Sequence, residues 1–189
     1  FSGAQHPKYW LQQDGAWKQR QLAAVTDLPW SWPAVVNQLE SKAFCNWKSA
    51  QTGKNIRLPS EDEWKVLREM GKYGSVDQPD WSQAPGNINL EYFASECPVN
   101  VFEWGGTGFY DVIGNVWQWT ESYIDGLPGF DVHPLYDDFS TPTFDGKHTL
   151  FKGGSWISMG ANGATKDSRY SFRRHFFQHA GIRYVESDV

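Results

Sequence analysis

Thiols are scarce in this chain of 189 residues, with Cys45 and Cys97 the only two. Two cysteines cannot build the multi-bridge framework of a small secreted domain, so the fold must rest on a core and a reducing cytoplasm is the expected compartment. A single bridge between the two stays open at this level. Also missing is any apolar run near the roughly 20 residues that span a bilayer, and no signal-peptide pattern opens the chain. No membrane partner is therefore expected. Positive charge is not in surplus either: the net charge is -5 with both signs interspersed, which leaves no basic stripe for a phosphate backbone and points away from nucleic acid. The chain has no initiator Met, and patterned sequence starts at Phe1, so a piece of a longer protein is expected. No internal repeat or low-complexity linker appears, and the length suits one compact domain of about 100 to 200 residues. Residues 1–189 are read as a single domain.

What the chain has in quantity is aromatic rings and glycine: 16% Phe, Trp and Tyr, with 11 Trp and 18 Gly. Indoles that plug gaps beside glycines that allow positive φ suit a loop-rich fold. Tyr9-Trp10-Leu11 and Leu28-Pro29-Trp30, separated by turn-prone Asp14-Gly15, read as an edge hairpin. From Ser31 the apolar residues Val36, Leu39, Ala43, Phe44 and Trp47 recur at helical spacing. With Pro33 suited to a first turn, this predicts an amphipathic helix to about Gln51, stopped near Gly53. Ser60-Glu61-Asp62-Glu63 is a capping box that opens a second helix, with Trp64, Leu67 and Met70 on its buried face. Between Gly71 and Gly106 no period is visible, and long ordered loops are expected there. Phe109 to Trp119, Leu150 to Trp156 and Gly181 to Val185 have strand-like spacing. Two helices followed by short strands in long loops give an α+β fold.

Several blocks carry a family resemblance. The run Arg57-Leu58-Pro59-Ser60-Glu61-Asp62-Glu63-Trp64 resembles R-L-P-T-E-A-E-W. Gly114-Asn115-Val116-Trp117-Gln118-Trp119 resembles G-N-V-W-E-W, and a Lys-Gly-Gly-Ser-Trp turn at 152–156 leads to Gly181-Ile182-Arg183. Together these resemble the formylglycine-generating-enzyme type of C-type-lectin-like domain. Within it, the chain is most similar to the C-terminal half of the iron-dependent sulfoxide synthases of ovothiol and ergothioneine biosynthesis. Two departures matter. Gln118 replaces a carboxylate that helps hold calcium in some family members, and an amide carbonyl is a weaker ligand for a hard cation. Arg169-Tyr170-Ser171-Phe172-Arg173-Arg174, which matches the copper-binding R-Y-x-C-R region of formylglycine-generating enzymes, contains no cysteine, so the soft thiolates a Cu(I) site needs are absent from it.

The resemblance also implies site residues. In the ergothioneine-type enzymes a run like R-N-W-D-x-P-x-R-R-Q lines the pocket for trimethylated histidine and a thiol co-substrate. Read back from the Arg pair, Asp167 falls on the Asn, Ser168 on the Trp, Arg169 on the Asp and Arg173 on the first Arg. A trimethylammonium favours an aromatic face, whereas a primary ammonium favours a carboxylate, so Asp167 and Ser168 imply unmodified histidine, as in ovothiol biosynthesis. Arg169 and Arg173 would clamp the carboxylate of free cysteine through paired hydrogen bonds. His133-Pro134-Leu135-Tyr136-Asp137-Asp138-Phe139 resembles P-x-x-Y-x-x-Y, which puts Tyr136 on the catalytic phenol and Phe139 on the second ring. A phenol stays protonated at neutral pH and can donate a proton or hydrogen atom.

The resemblance thus implies the catalytic C-terminal domain of a non-heme-iron enzyme that joins cysteine to histidine with O2. Its Fe(II) is expected on a separate N-terminal helical domain in cis, and this chain alone is expected to be inactive. His175 and His179 form an H-x-x-x-H pair, but their setting reads as a loop entering a strand, not as a metal-binding helix. The rival readings are an ergothioneine-type synthase, a copper oxidase of sulfatase cysteines, and a non-catalytic C-type-lectin-like binding module. On the residues alone, Tyr136 also reads as a core tyrosine and the arginines as surface ion pairs.

Overall fold

In the computed structural model, residues 3–72, 86–92, 94–159 and 164–187 are described, with Phe139 described only as part of its helix. Strands β1 (Trp10–Gln13) and β2 (Ala16–Arg20) form the expected hairpin. Asp14 and Gly15, at φ 52° and 76°, make its two-residue turn, the conformation that favours Asp-Gly in tight hairpins. The hairpin is not an edge of the main sheet. It gains a third strand, β3 (Val25–Asp27), and forms a sheet of its own.

Helix α1 spans Gln38–Thr52, later than the apolar spacing predicts. Residues before it are held extended by tertiary bonds: the Val36 amide donates to the Ala180 carbonyl at 2.9 Å, and the Val36 carbonyl accepts the Trp119 indole N–H at 2.9 Å. Pro33 therefore sits outside the helix. Asn37 is the cap instead, its side chain accepting the Glu40 amide at 2.9 Å while Glu40 reaches back to the Asn37 amide at 3.0 Å, a full capping box. Gly53, at φ 70°, ends the helix in the left-handed conformation, as expected. The face of α1 that is buried is small and polar, with Gln38, Ser41 and Cys45, while Trp47 is 58% exposed and not part of the core.

After β4 (Asn55–Arg57) comes α2 (Glu61–Glu69). The Ser60 capping box is present as read from the sequence. Arg57 explains the rest of that motif: its Nη1 and Nη2 donate to Glu63 at 2.7 and 2.6 Å, bracing the Leu58-Pro59 turn against the helix start. Trp64 is fully buried, but Met70 lies beyond the helix and is exposed, and Arg68 takes the buried place in the last turn. Of the stretch from Gly71 to Gly106 expected to form long loops, the described residues 71–72, 86–92 and 94–106 hold turns and bends without helix or long strand, and the rest lies outside the described residues.

The central sheet has the order β7-β6-β5-β8. It is made of β5 (Trp117–Tyr123), β6 (His148–Lys152), β7 (Tyr170–Arg173) and β8 (Ala180–Gly181). β5, β6 and β7 pair antiparallel, β8 joins β5 in parallel, and a last strand, β9 (Val185–Ser187), pairs with β4. Two expected strands are shorter than their spacing suggests. Asp111, Gly114 and Asn115 have φ of 50°, 76° and 59°, so the chain turns through 109–116 and only straightens at Trp117. Gly153 and Gly154, at φ 95° and 75°, end β6 before Trp156. The final strand divides into β8 and β9. A short helix, α3 (Asp137–Ser140), and a 3-10 turn, Thr141–Thr143, lie in the long loop between β5 and β6.

Alternation along the sheet sorts its two faces. Trp119, Phe151 and Ala180 pack with Cys45, Ile56 and Leu58 in one apolar cluster, with Trp117 and Phe172 against it. Truncating a fully buried indole such as Trp119 to Ala is worth roughly 3 to 5 kcal/mol. A second cluster gathers Ile88, Trp104, Val112, Ile113 and Ala164 under Leu67. This is the α+β, C-type-lectin-like architecture anticipated from the sequence. Among the described residues no helix is long and apolar enough to cross a membrane.

Candidate active site

The opposite face of β6 and β7 carries charge. The rings of Tyr170 and Phe172 turn toward Trp117 and Phe151, so Ser171 and Arg173 lie on the other side, with Arg169 just before the strand. Lys152, opposite that end of the ladder, is 0% exposed. Its Nζ donates to the Ser168 carbonyl at 2.6 Å and to Glu61 Oε1 at 3.2 Å, and it lies 5.2 Å from the Trp64 ring centre. Glu61, in the first turn of α2, also receives Arg169 Nε and Nη2 at 3.0 Å each. Burial pushes the Glu61 carboxyl up, yet the bonds from Arg169 and Lys152 outweigh it and the net shift is down. For Lys152 desolvation dominates and lowers the ammonium despite Glu61. The network joins α2, β6 and the approach to β7.

A long loop, 124–147, rises from this face, and its ends are tied to Arg169, just before β7, and to Arg173, the last residue of β7. The Ile124 amide donates to the His148 carbonyl at 3.0 Å, closing the base. Arg169 Nη1 donates to the Asp125 carbonyl at 2.8 Å, and Arg173 Nη2 donates to Asp145 Oδ2 at 3.1 Å. Asp145 Oδ1 in turn accepts His148 Nδ1 and the Lys147 amide, each at 2.8 Å. The His148 bond, followed by smaller contributions that include Arg173, holds the Asp145 carboxyl down at about 2. Inside the loop the Phe130 and Phe144 rings meet edge to face at 5.8 Å. Its outer side is apolar and open, with Leu127, Leu135 and Tyr136 exposed.

Each residue implied by the resemblance can now be placed. Tyr136 is 63% exposed at the start of α3. Its ring lies against His133 at 5.9 Å, and its hydroxyl has no hydrogen-bond partner among the described residues. A satisfied core tyrosine is thus not what stands here. Phe139 has its side chain outside the described residues. Asp167 is exposed, 3.5 Å from Lys65 Nζ. The Ser168 carbonyl accepts from Lys152, and its hydroxyl shares a hydrogen bond with that of Thr165. Arg169 has all three guanidinium nitrogens engaged, by Glu61 and Asp125. Arg173 gives up only Nη2 and is partly exposed. The face therefore brings Arg169, Arg173 and the loop of Tyr136 into one framework. Sequence reasoning passed over Glu61, Lys152, Asp145 and His148. The Asp145-Gly146-Lys147-His148 turn was a legible signal for the last pair, whereas Glu61 and Arg169 are 108 positions apart.

Metal sites known on this scaffold find little support in these side chains. Cys45 and Cys97 are free and fully buried, and burial pushes the Cys97 thiol up to about 12. Neither offers a thiolate. Gln118 is saturated: its Oε1 accepts Trp64 Nε1 at 3.3 Å and Arg183 Nε at 2.5 Å, and its Nε2 donates to the Val112 carbonyl at 2.9 Å. Where a carboxylate would favour a cation, an arginine supplies the charge. His175 and His179 part company, His175 facing an apolar cleft beside α1 and His179 packing on Trp156 at 5.0 Å. Among the described residues no three His, Cys, Asp or Glu side chains gather to hold a metal ion.

Comparison with known proteins places this arrangement. The chain is 28% identical over 96% of its length to the hercynine oxygenase of Mycobacterium tuberculosis, of which it covers 43%. It is 27% identical over 95% of its length to ergothioneine biosynthesis protein 1 of Schizosaccharomyces pombe, covering 21% of that protein. Against the mouse formylglycine-generating enzyme the figures are 27% identity, 62% of this chain and 33% of the relative. The chain thus spans less than half the length of these curated relatives. Among solved structures, the Treponema denticola variable protein 1 superposes with a TM-score of 0.66 at 17% identity, over 82% of this chain and 70% of that one. PvdO from Pseudomonas aeruginosa superposes at 0.65 with 21% identity, over 92% and 69%. Both likenesses speak to fold. Residues 4–187 match the sulfatase-modifying factor enzyme 1-like domain across almost the whole chain, and the protein belongs to that family, to which hercynine oxygenase is related.

Proposed function

We propose that this chain is the C-terminal, substrate-binding part of a sulfoxide synthase of the ergothioneine type, which uses O2 to join a thiol sulfur to the imidazole of a histidine-derived substrate. In that reaction an imidazole C–H and a thiol S–H bond break, a C–S bond forms, one oxygen atom goes to sulfur and the other leaves as water. The observation that carries the reading is the similarity to hercynine oxygenase along 96% of the chain. The described residues do not fit an Fe(II) site, so iron would be held by another part of the protein, and the chain alone would be inactive. Its own contribution is a pocket wall. Tyr136 offers an exposed phenol with a free hydroxyl, Asp167 and Ser168 lie beside the histidine-derived substrate, and Arg173 receives the thiol compound. Arg169 braces the loop that carries Tyr136.

Asp167 supports a second, narrower reading. It offers an exposed carboxylate at 3.5 Å from Lys65, a partner suited to a primary ammonium and not to a trimethylated one. Free histidine with cysteine, as in ovothiol biosynthesis, would be the substrate pair. Supplying the full-length enzyme with cysteine and either histidine or its trimethylated form decides between the two. Turnover of neither, with iron bound, refutes both. Within either reading, Tyr136→Phe is expected to divert product toward cysteine sulfinate, and an unchanged product ratio removes Tyr136 from the chemistry.

A further inference from the structure

We infer that Asp145, held by His148, is a positioning residue that presents one open edge of the Arg173 guanidinium to the carboxylate of the thiol substrate. The inference rests on the proposed sulfoxide synthase reading and names a device within it. Asp145 is fixed from three directions. Its Oδ1 is taken by His148 Nδ1 and by the Lys147 amide, both at 2.8 Å, which leaves only Oδ2 for Arg173, at 3.1 Å. A carboxylate with both oxygens free grips arginine in a two-bond fork. Here His148 and the backbone forbid that fork, so the contact is single by construction.

The consequence for Arg173 follows from its donor inventory. Nε and Nη1 have no partner among the described residues, and Nη2 carries a second hydrogen beyond the one given to Asp145. A full two-donor edge therefore remains, on a side chain 44% exposed. Arg169 makes the contrast on the same face: Glu61 grips it through two nitrogens and the Asp125 carbonyl takes the third. One arginine is closed and the other is anchored but open. The strand register places Arg173 directly across from His148, so the ladder and the dyad fix the guanidinium together. The Asp145 anchor takes one guanidinium hydrogen and leaves the cationic edge of Arg173 open to a carboxylate. An ordinary surface ion pair would contribute little and would not need a histidine behind the carboxylate.

The test is steady-state kinetics of the full-length enzyme with cysteine and with cysteine methyl ester, whose carboxylate is masked. Wild type is expected to show a KM for the ester raised about tenfold over that for cysteine. Asp145→Asn keeps the shape and is expected to raise KM for cysteine about tenfold with kcat unchanged, while KM for the ester stays where it was. His148→Ala, which frees Oδ1, is expected to move KM for cysteine the same way. Asp145→Glu, with its carboxylate restored, is expected to recover part of the loss. If Asp145→Asn leaves KM for cysteine unchanged, or raises both KM values together, the positioning role is overturned while the sulfoxide synthase reading stands. If wild type does not distinguish cysteine from its ester, the carboxylate role of Arg173 falls as well. Absence of any C–S product from the iron-loaded wild type would instead refute the reading beneath.

Discussion

Removing Glu61 should strand a lysine in the core. Lys152 has no exposed surface, and Glu61 Oε1, at 3.2 Å, is its only carboxylate partner among the described residues. In Glu61→Ala the ammonium keeps the Ser168 carbonyl and the Trp64 ring but loses its counter-charge, and breaking a buried pair from one side costs about 3 to 5 kcal/mol. For a chain of this size each kcal/mol moves the melting midpoint by about 2 to 4 °C, so a drop of roughly 6 to 20 °C is expected. Lys152→Met should be milder, because Glu61 keeps Arg169, whose side chain is partly exposed. The double variant Glu61→Ala/Lys152→Met removes the stranded charge and should be less destabilised than the sum of the singles by about 2 kcal/mol. The alkaline limb gives a second readout. Desolvation already depresses Lys152 below its ordinary 10.5, and losing Glu61 depresses it further. Between the folded and unfolded values the unfolded chain binds the extra proton, so stability rises with pH across that window, more steeply in Glu61→Ala. Urea titrations at neutral pH and near pH 10 measure both effects. A Glu61→Ala variant within about 1 kcal/mol of wild type, or singles that simply add, would refute the claim that Lys152 depends on this carboxylate.

Asp111 should act in the opposite pH range. Burial raises its carboxyl to about 6, against the bond from Asn115 and the charge of Arg183, so the folded chain holds a proton that the unfolded chain has released. Its contribution is present below about pH 4 and is lost as pH rises through 6, a change of roughly 3 kcal/mol. Asp111→Asn should therefore gain on wild type between pH 4 and 7.5 in chemical denaturation, and a pH-independent difference would count against it. Gly114→Ala should lose more than about 2 kcal/mol, since a left-handed φ alone is worth roughly 1 to 2 and the added Cβ would lie 2.4 Å from the Asn87 carbonyl oxygen. Gly106→Ala, with φ 80° and open space around it, isolates the φ contribution, and equal losses at the two sites would refute the steric part. Ser60→Ala should cost about 1 kcal/mol by uncapping α2, read as a shift in the urea midpoint, and no shift would show that Glu63 and Arg57 suffice.

Local signals in the sequence were read well where the structure uses them locally. Asp14-Gly15 turns a hairpin because both residues take positive φ, and Ser60 with Glu63 caps a helix three residues apart. The start of α1 misled because Pro33 has the right φ for a first turn while the Val36 peptide is claimed from afar by Ala180 and Trp119. The true cap, Asn37 with Glu40, had the same spacing as Ser60 with Glu63 and was legible. The candidate site was visible only through resemblance. Tyr136 and the two arginines carry no pattern of their own, and what separates Arg169 from Arg173 is which carboxylate meets each one. That depends on Glu61, 108 positions before Arg169, and on Asp145, 28 before Arg173.

The loop 124–147 leaves and rejoins the sheet at a single closed point, where the Ile124 amide meets the His148 carbonyl, and its two feet are pinned by Arg169 and Arg173, at the approach to β7 and at its end. Length added between those feet leaves the ladder untouched, and each doubling of a flexible loop raises the closure entropy by only about 0.6 kcal/mol. The segment between Gly126 and Phe144 is thus a cassette. Exchanging it, with Asp125 and Asp145 retained, should leave the ladder and the scaffold unaltered.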